Sequence, residues 1–329
     1  MSGRDGWISI PSPPAWNDGS VSDRLTLRYR SWGRLASTAD NAVLVCPALT
    51  GDRCVDDWWQ GLLGPGRALD PTADFIIAMD VLGGCGGTGS EPQPGRLDVR
   101  DMVQAQRLLL DALGIARLKL VIGGSLGGMQ ALEWAVGHGA SVDAAAVIAA
   151  APRQTAWAAG LNHIQRRAIE THGDLELARM VAMLSYRHWL NLDDRFGPST
   201  DDQRSVSGWL DHHGEALRQR FDARAYLRLI DAMDRHDVGR GRGGWQAALQ
   251  GCDVPTLVVG ITTDLLYPPQ ETRAMVQALP ASRPTWLDGP QGHDAFLIEQ
   301  AELNKQIGIF RQSLGPSPTH PAPAEELSA

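Results

Sequence analysis

The chain lacks most of the features that would assign it to a simple class. Cys46, Cys54, Cys85 and Cys252 are the only four cysteines in 329 residues, none in a CxxC pair, so no zinc-like spacing exists. Scattered thiols suit a reducing compartment, and a cytoplasmic protein is expected. No run of 18 apolar residues occurs, which argues against a membrane-spanning helix. The N-terminus is polar, with Pro11, Pro13 and Pro14, and has no signal-peptide apolar stretch. No basic run is present and the formal charge is −8, so nucleic acid is not an expected partner. What remains is a chain rich in glycine (36) and proline (20), for many connections, and 43% apolar, enough for a large folded core.

One stretch organises the rest. Leu120-Val121-Ile122 is a short apolar run bounded by glycines and reads as a buried strand. Gly123-Gly-Ser-Leu-Gly127 follows, a G-x-S-x-G pattern, and Met129–Val136 reads as a helix. Ser125 is therefore expected on a sharp strand-to-helix turn, with its hydroxyl exposed and the following amides aimed at the same point. A serine hydroxyl is a weak nucleophile and needs a base, which in turn needs an orienting acid.

Upstream, Leu25–Trp32 alternates like a half-exposed strand, after an irregular lead over residues 1–20. Ala42–Cys46 reads as a central strand that stops at Pro47, and Asp74–Asp80 as the next strand. The glycine-dense loop Val81–Ser90 has neither the P-loop nor the dinucleotide form. It is read as a conformationally demanding loop, with an anion cradle as the alternative. Val99–Leu113 reads as a helix and Val142–Ala151 as a further strand. This alternation predicts a mostly parallel sheet with helices on both faces.

From residue 154 to 249 the texture is helical, with Ile164–His172, Leu175–Trp189 and Ala223–Met233 the clearest helices. That block is expected to form a lid over the serine. Strand–helix alternation resumes with Pro255–Gly260, and residues 316–329 read as a disordered tail. The division is thus a core over 1–153, a helical lid over 154–249, more core over 250–313, and a tail over 314–329.

Chain order completes the constellation. Asp264 follows one late strand and His293 another, and Ser…Asp…His is the order of an α/β-hydrolase sheet. His293 would take the Ser125 proton and Asp264 would hold the imidazole tautomer. Asp288 is the alternative acid. The oxyanion would take the amides of Leu126 and Leu49, with Thr50 next. His212 and His213, beside Asp211 and Glu215, are read as a solvated helix end, with no metal expected. Arg240 and Arg242 either contact an anionic cofactor or order their loop.

These residues lie in a longer pattern. Ala48-Leu-Thr-Gly-Asp52, Gly123–Trp134, Asn162–Ile169, Ala178-Arg-Met180, Leu184-Ser-Tyr-Arg187, His236-Asp-Val-Gly-Arg240 and Gly292-His-Asp-Ala-Phe-Leu297 together resemble the homoserine O-acetyltransferase family. The resemblance runs from about Leu25 to Gln312. It implies a Ser125–Asp264–His293 triad and ping-pong acyl transfer from an acyl-CoA co-substrate, with no permanently bound cofactor. It further implies acceptor contacts from Arg179 and Asp294, with Thr50, Tyr186 and Arg187 nearby, and a homodimer built through the lid helices. Serine as acceptor, succinyl as acyl group, an esterase and a non-catalytic binding protein are the rival readings. The sequence departs from the family pattern at Pro47, where histidine is usual, and in the loop beginning at Asp80. It is also shortened between Ile169 and Ala178.

Overall fold

The computed structural model describes residues 2–197 and 205–315. Among them nine strands form one sheet, in the order β1-β2-β4-β3-β6-β7-β8-β9, with β5 paired to β2. The strands are β1 (Arg4–Pro11), β2 (Arg24–Trp32), β3 (Ala42–Cys46), β4 (Phe75–Met79), β5 (Gly89–Glu91), β6 (Leu120–Gly124), β7 (Ala145–Ile148), β8 (Thr256–Ile261) and β9 (Ser282–Leu287). From β4 to β9 every neighbouring pair is parallel, and β1, β2 and β5 pair antiparallel.

The central strands β3, β6, β7 and β8 are buried along their whole length. Their apolar residues divide by alternation between two cores. Leu44, Val121, Val147 and Val258 face one side, with Leu109, Met129 and Leu132. The last three come from α2 (Val99–Ala112) and α3 (Leu126–Gly137), after the short α1 (Val55–Trp58). Val45, Ile122, Ile148 and Val259 face the other, with Leu303, Ile307 and Phe310 near the C-terminus.

Between β7 and β8 the chain leaves the sheet and forms α4 (Ala156–His172), α5 (Leu175–Tyr186), α6 (Trp189–Phe196), α7 (Val206–Arg220), α8 (Ala223–Asp234) and α9 (Trp245–Gln250). α5 packs on α4 and α7, and α8 packs on α4. The helices α10 (Pro269–Ala278), α11 (Ala295–Ile298) and α12 (Gln300–Ser313) complete the described chain.

Three sequence expectations are corrected. The lead is not irregular through residue 20: Arg4–Pro11 is an edge strand running along β2. Its alternation was masked by polar residues and nearby prolines, and one apolar member, Trp7, faces outward. The helix expected over Leu175–Trp189 breaks after Tyr186, because His188 turns its ring nitrogen onto the Leu190 amide and caps a new helix. Leu314 packs against the second core, so the expected tail does not begin there. Residues 316–329 lie outside the described residues.

Candidate active site

The turn after β6 is built by close approach. A Cβ on Gly123 would lie 2.3 Å from the carbonyl carbon of Gly127, and one on Gly127 would lie 2.1 Å from the Cys46 carbonyl oxygen. No side chain fits at either position, so β6, the start of α3 and the end of β3 can meet. Ser125 itself has φ 56° and ψ −121°. A positive φ is costly for a residue with a Cβ and persists only where the surroundings impose it. Here the Ser125 amide donates to the Ile148 carbonyl at 2.9 Å, fixing the turn to β7.

Ser125 Oγ lies 2.9 Å from His293 Nε2, and His293 Nδ1 lies 2.7 Å from Asp264 Oδ2. The carboxylate can only accept, so Nδ1 carries the proton and Nε2 is left to accept from the serine hydroxyl. The second oxygen of Asp264 accepts the amides of Leu266 at 2.8 Å and Tyr267 at 2.9 Å, which fixes its plane. Asp288 is not bonded to His293. The imidazole is enclosed by Tyr186, Tyr267 and Phe296, with ring centres 5.5–5.7 Å away. Burial alone would lower its pKa, but the Asp264 and Asp294 carboxylates outweigh burial and hold it above the usual imidazole value. The arrangement is suited to deprotonating a hydroxyl and storing the proton on a stabilised imidazolium.

Chain-wide comparisons agree with this geometry. A model of the alpha/beta hydrolase fold matches residues 41–300. The homoserine O-acetyltransferase of Trichormus variabilis is 43% identical over 94% of this chain and 94% of its own. The chain belongs to the homoserine O-acetyltransferase family. The solved structure of a homoserine O-acetyltransferase from Staphylococcus aureus, 30% identical, superposes with a TM-score of 0.83 over 94% of this chain and 95% of that one. An acetylester hydrolase from Corynebacterium glutamicum has a TM-score of 0.81 over 94% and 96% of the two chains, and at 23% identity shows the fold alone.

The oxyanion and acceptor residues named from the sequence lie on the turn after β3, the start of α3, α5 and the residues after it, and the turn that holds His293. Leu126 opens α3, so its amide is among the helix N-terminal donors with no partner in the helix. Leu49 lies in the turn after β3, closed by the Gly51 amide on the Ala48 carbonyl at 3.0 Å. Thr50 is engaged by the lid: Arg220 at the end of α7 donates to its carbonyl at 2.9 Å. Arg179 stands 5.6 Å over the Tyr186 ring and has no ion-pair partner among the described residues. Asp294 and Arg187 are not both open to a ligand. Asp294 Oδ2 forms an ion pair with Arg187, 3.1 Å from its Nε, and Arg187 Nη1 donates to Gln291. Burial pushes the Asp294 carboxyl up, against the pull of Arg187, His293 and Arg179.

The departure at Asp80 has a local explanation. Arg53 donates its backbone amide and guanidinium to Asp80, at 3.0 and 2.9 Å. The glycine-rich loop wraps that carboxylate so closely that a Cβ on Gly86 would lie 2.1 Å from Asp80 Cγ. This is a loop folded around an internal ion pair. Arg242 binds both oxygens of Glu133 at 2.6 and 3.0 Å and Arg240 binds Asp98, so both arginines order their loop. His213 packs edge-on against Trp209, and among the described residues no cluster of three metal-ligating side chains forms. All four cysteines are free. No described helix is long and apolar enough to cross a membrane.

Sequence reading missed Gln106 and Gln130, both essentially inaccessible to solvent and bonded to each other. The available signal was a polar side chain in α3, a helix apolar on nearly every face.

Proposed function

We propose that this protein transfers an acetyl group from acetyl-CoA to the side-chain hydroxyl of homoserine through a covalent Ser125 intermediate. The observation that carries the reading is the hydrogen-bonded line from Ser125 through His293 to Asp264 in a chain so close to a curated homoserine O-acetyltransferase.

His293 Nε2 takes the Ser125 proton as Oγ attacks the thioester carbonyl carbon. The amides of Leu126 and Leu49 stabilise the oxyanion. Collapse breaks the C–S bond, and the CoA thiolate leaves with the proton from Nε2. The homoserine hydroxyl then gives its proton to Nε2 and attacks the acyl carbonyl. The second collapse returns the proton to Ser125 Oγ and releases the O-acyl ester. Arg179, without an acid partner among the described residues, suits an α-carboxylate. Asp294 suits an ammonium, which would compete with Arg187 for it. Tyr186, Arg187 and Thr50 complete the acceptor wall. Water must be kept from the acyl-enzyme, and the aromatic enclosure of His293 supports that.

We further propose a homodimer joined through the lid. Ten large apolar residues are exposed among the described residues, and six of them lie on α4, α5 and α6. A soluble monomer rarely concentrates apolar surface in this way.

Rapid mixing with acetyl-CoA should release free thiol in a burst equal to the enzyme, and further turnover should require homoserine. Ser125→Ala should abolish the burst. A burst persisting in that variant, or an acyl-enzyme that water empties as fast as homoserine does, would overturn the reading. Succinyl-CoA and serine, run in parallel, identify the donor and acceptor.

A further inference from the structure

The oxyanion amides lie on two different elements, and their relative position must be fixed by something other than the triad. Leu126 opens α3, and Leu49 follows β3 in the segment Pro47–Gly51. One side chain joins the two. Gln130 Nε2 donates to the Leu126 carbonyl at 3.2 Å and to the Pro47 carbonyl at 3.2 Å. Its Oε1 accepts from Gln106 Nε2 of α2 at 2.7 Å, and Gln106 Oε1 accepts from Trp134 Nε1 at 2.7 Å. Every amide atom of Gln130 is therefore committed, and its orientation is set: the oxygen faces Gln106 and the nitrogen faces the two carbonyls. Gln130, Trp134 and Cys46 are wholly buried and Gln106 is 1% exposed, so water does not replace these bonds.

Two other carbonyls of the segment are also occupied. The Gly51 amide holds Ala48 and Arg220 holds Thr50. Pinning the carbonyls of Pro47, Ala48 and Thr50 sets the peptide planes from which the Leu49 amide projects. Pro47 has no amide hydrogen, so its carbonyl is the hydrogen-bonding handle of that residue. We infer that Gln130 is a positioning residue for the oxyanion site, holding the Leu49 segment in register with the Leu126 amide. The inference rests on the serine-dependent acyl transfer proposed above, though not on the identity of the acceptor.

A donor displaced by about 1 Å can cost on the order of a hundredfold in rate. Gln130→Met keeps the volume and removes all three bonds. It should slow acylation by acetyl-CoA and by p-nitrophenyl acetate by roughly 30- to 100-fold. The affinity of an alkylboronic acid, which forms a tetrahedral adduct on the serine, should fall by the same factor. The KM for acetyl-CoA should change less than about threefold, since ground-state binding does not use the oxyanion donors. Trp134→Phe removes a bond of the same network without touching Pro47. It should lower Tm while leaving acylation within about threefold of the parent. If Gln130→Met fails to fold, Gln130→Asn, one methylene short of Pro47, should give the same loss in boronate affinity. Boronate affinity that is unchanged in the folded Gln130 variant, or that falls equally in Trp134→Phe, would overturn the inference. Should the parent turn over the ester but not the thioester, the transferase reading fails while the boronate comparison still decides the role of Gln130.

Discussion

At the scale of single residues the chemistry turns on what surrounds His293. Its raised pKa comes from two carboxylates, Asp264 and Asp294, overcoming the effect of burial. The base must be neutral to accept the serine proton, so activity falls as pH drops through that pKa. The acid limb of kcat/KM should therefore lie above the ordinary imidazole value of about 6.5. Asp264→Asn removes the charge and lets burial dominate, which moves the limb below that value. It also frees the wrong tautomer, and kcat should fall by about three to four orders of magnitude. A pH–rate profile of the variant with an unmoved limb would show that Asp264 does not set the imidazole charge. Ser125, Asp264 and His293 were readable because each sits at a strand end in a recognisable chain order. For Gln130 the sequence held only the signal of a polar residue in an apolar helix, since two of its partners are main-chain oxygens, one of them 83 residues away, and the third is Gln106 on another helix.

Whole elements were legible in proportion to how completely they are buried. The central parallel strands are continuous apolar runs, a pattern that marks them as buried on both faces, and the two cores lie there. The lid was harder. α6 and α7 carry mixed polar faces, and the break after Tyr186 depends on a histidine side chain capping the next helix. Exposed Ile164 on α4 and Leu184 on α5 lie where the proposed dimer would bury them. In a two-fold interface each substitution acts twice. Burying one such side chain contributes roughly 1.5–3 kcal/mol, so Leu184→Glu should raise the dimer dissociation constant by about a hundredfold or more. Analytical ultracentrifugation across a concentration series reads this directly. A parent that sediments as a monomer at micromolar concentration would remove the lid dimer from consideration.

For the molecule as a whole, acid should act through two separable routes. Protonation of His293 silences the site and leaves the fold in place. His236 acts on the fold. It is 4% exposed, with Nε2 3.1 Å from the Ala151 carbonyl where β7 gives way to the lid. Burial pushes its pKa down to about 4, although the Ala151 carbonyl, Asp237 and Asp98 pull the other way. The unfolded chain binds that proton near pH 6.5 and the folded chain does not until about pH 4. Stability is therefore fully present above 6.5 and is lost as pH falls toward 4, by about 1.4 kcal/mol per unit at most. Asp80, Asp101 and Asp294 have carboxyls raised by burial and work in the opposite sense, taking up protons more readily in the folded state. His138 and His213, lowered by burial, act in the same sense as His236, so the parent's acid sensitivity is the balance of all these groups, and one substitution isolates the His236 share. His236→Gln keeps a donor for Ala151 and removes the titration. Its Tm at pH 7 should lie close to the parent's, and its loss of Tm between pH 7 and pH 5 should be smaller by a few degrees. Its acid limb in kcat/KM should not move, because that limb belongs to His293. Parallel Tm losses in parent and variant would mean that His236 is not the group linking protons to the fold.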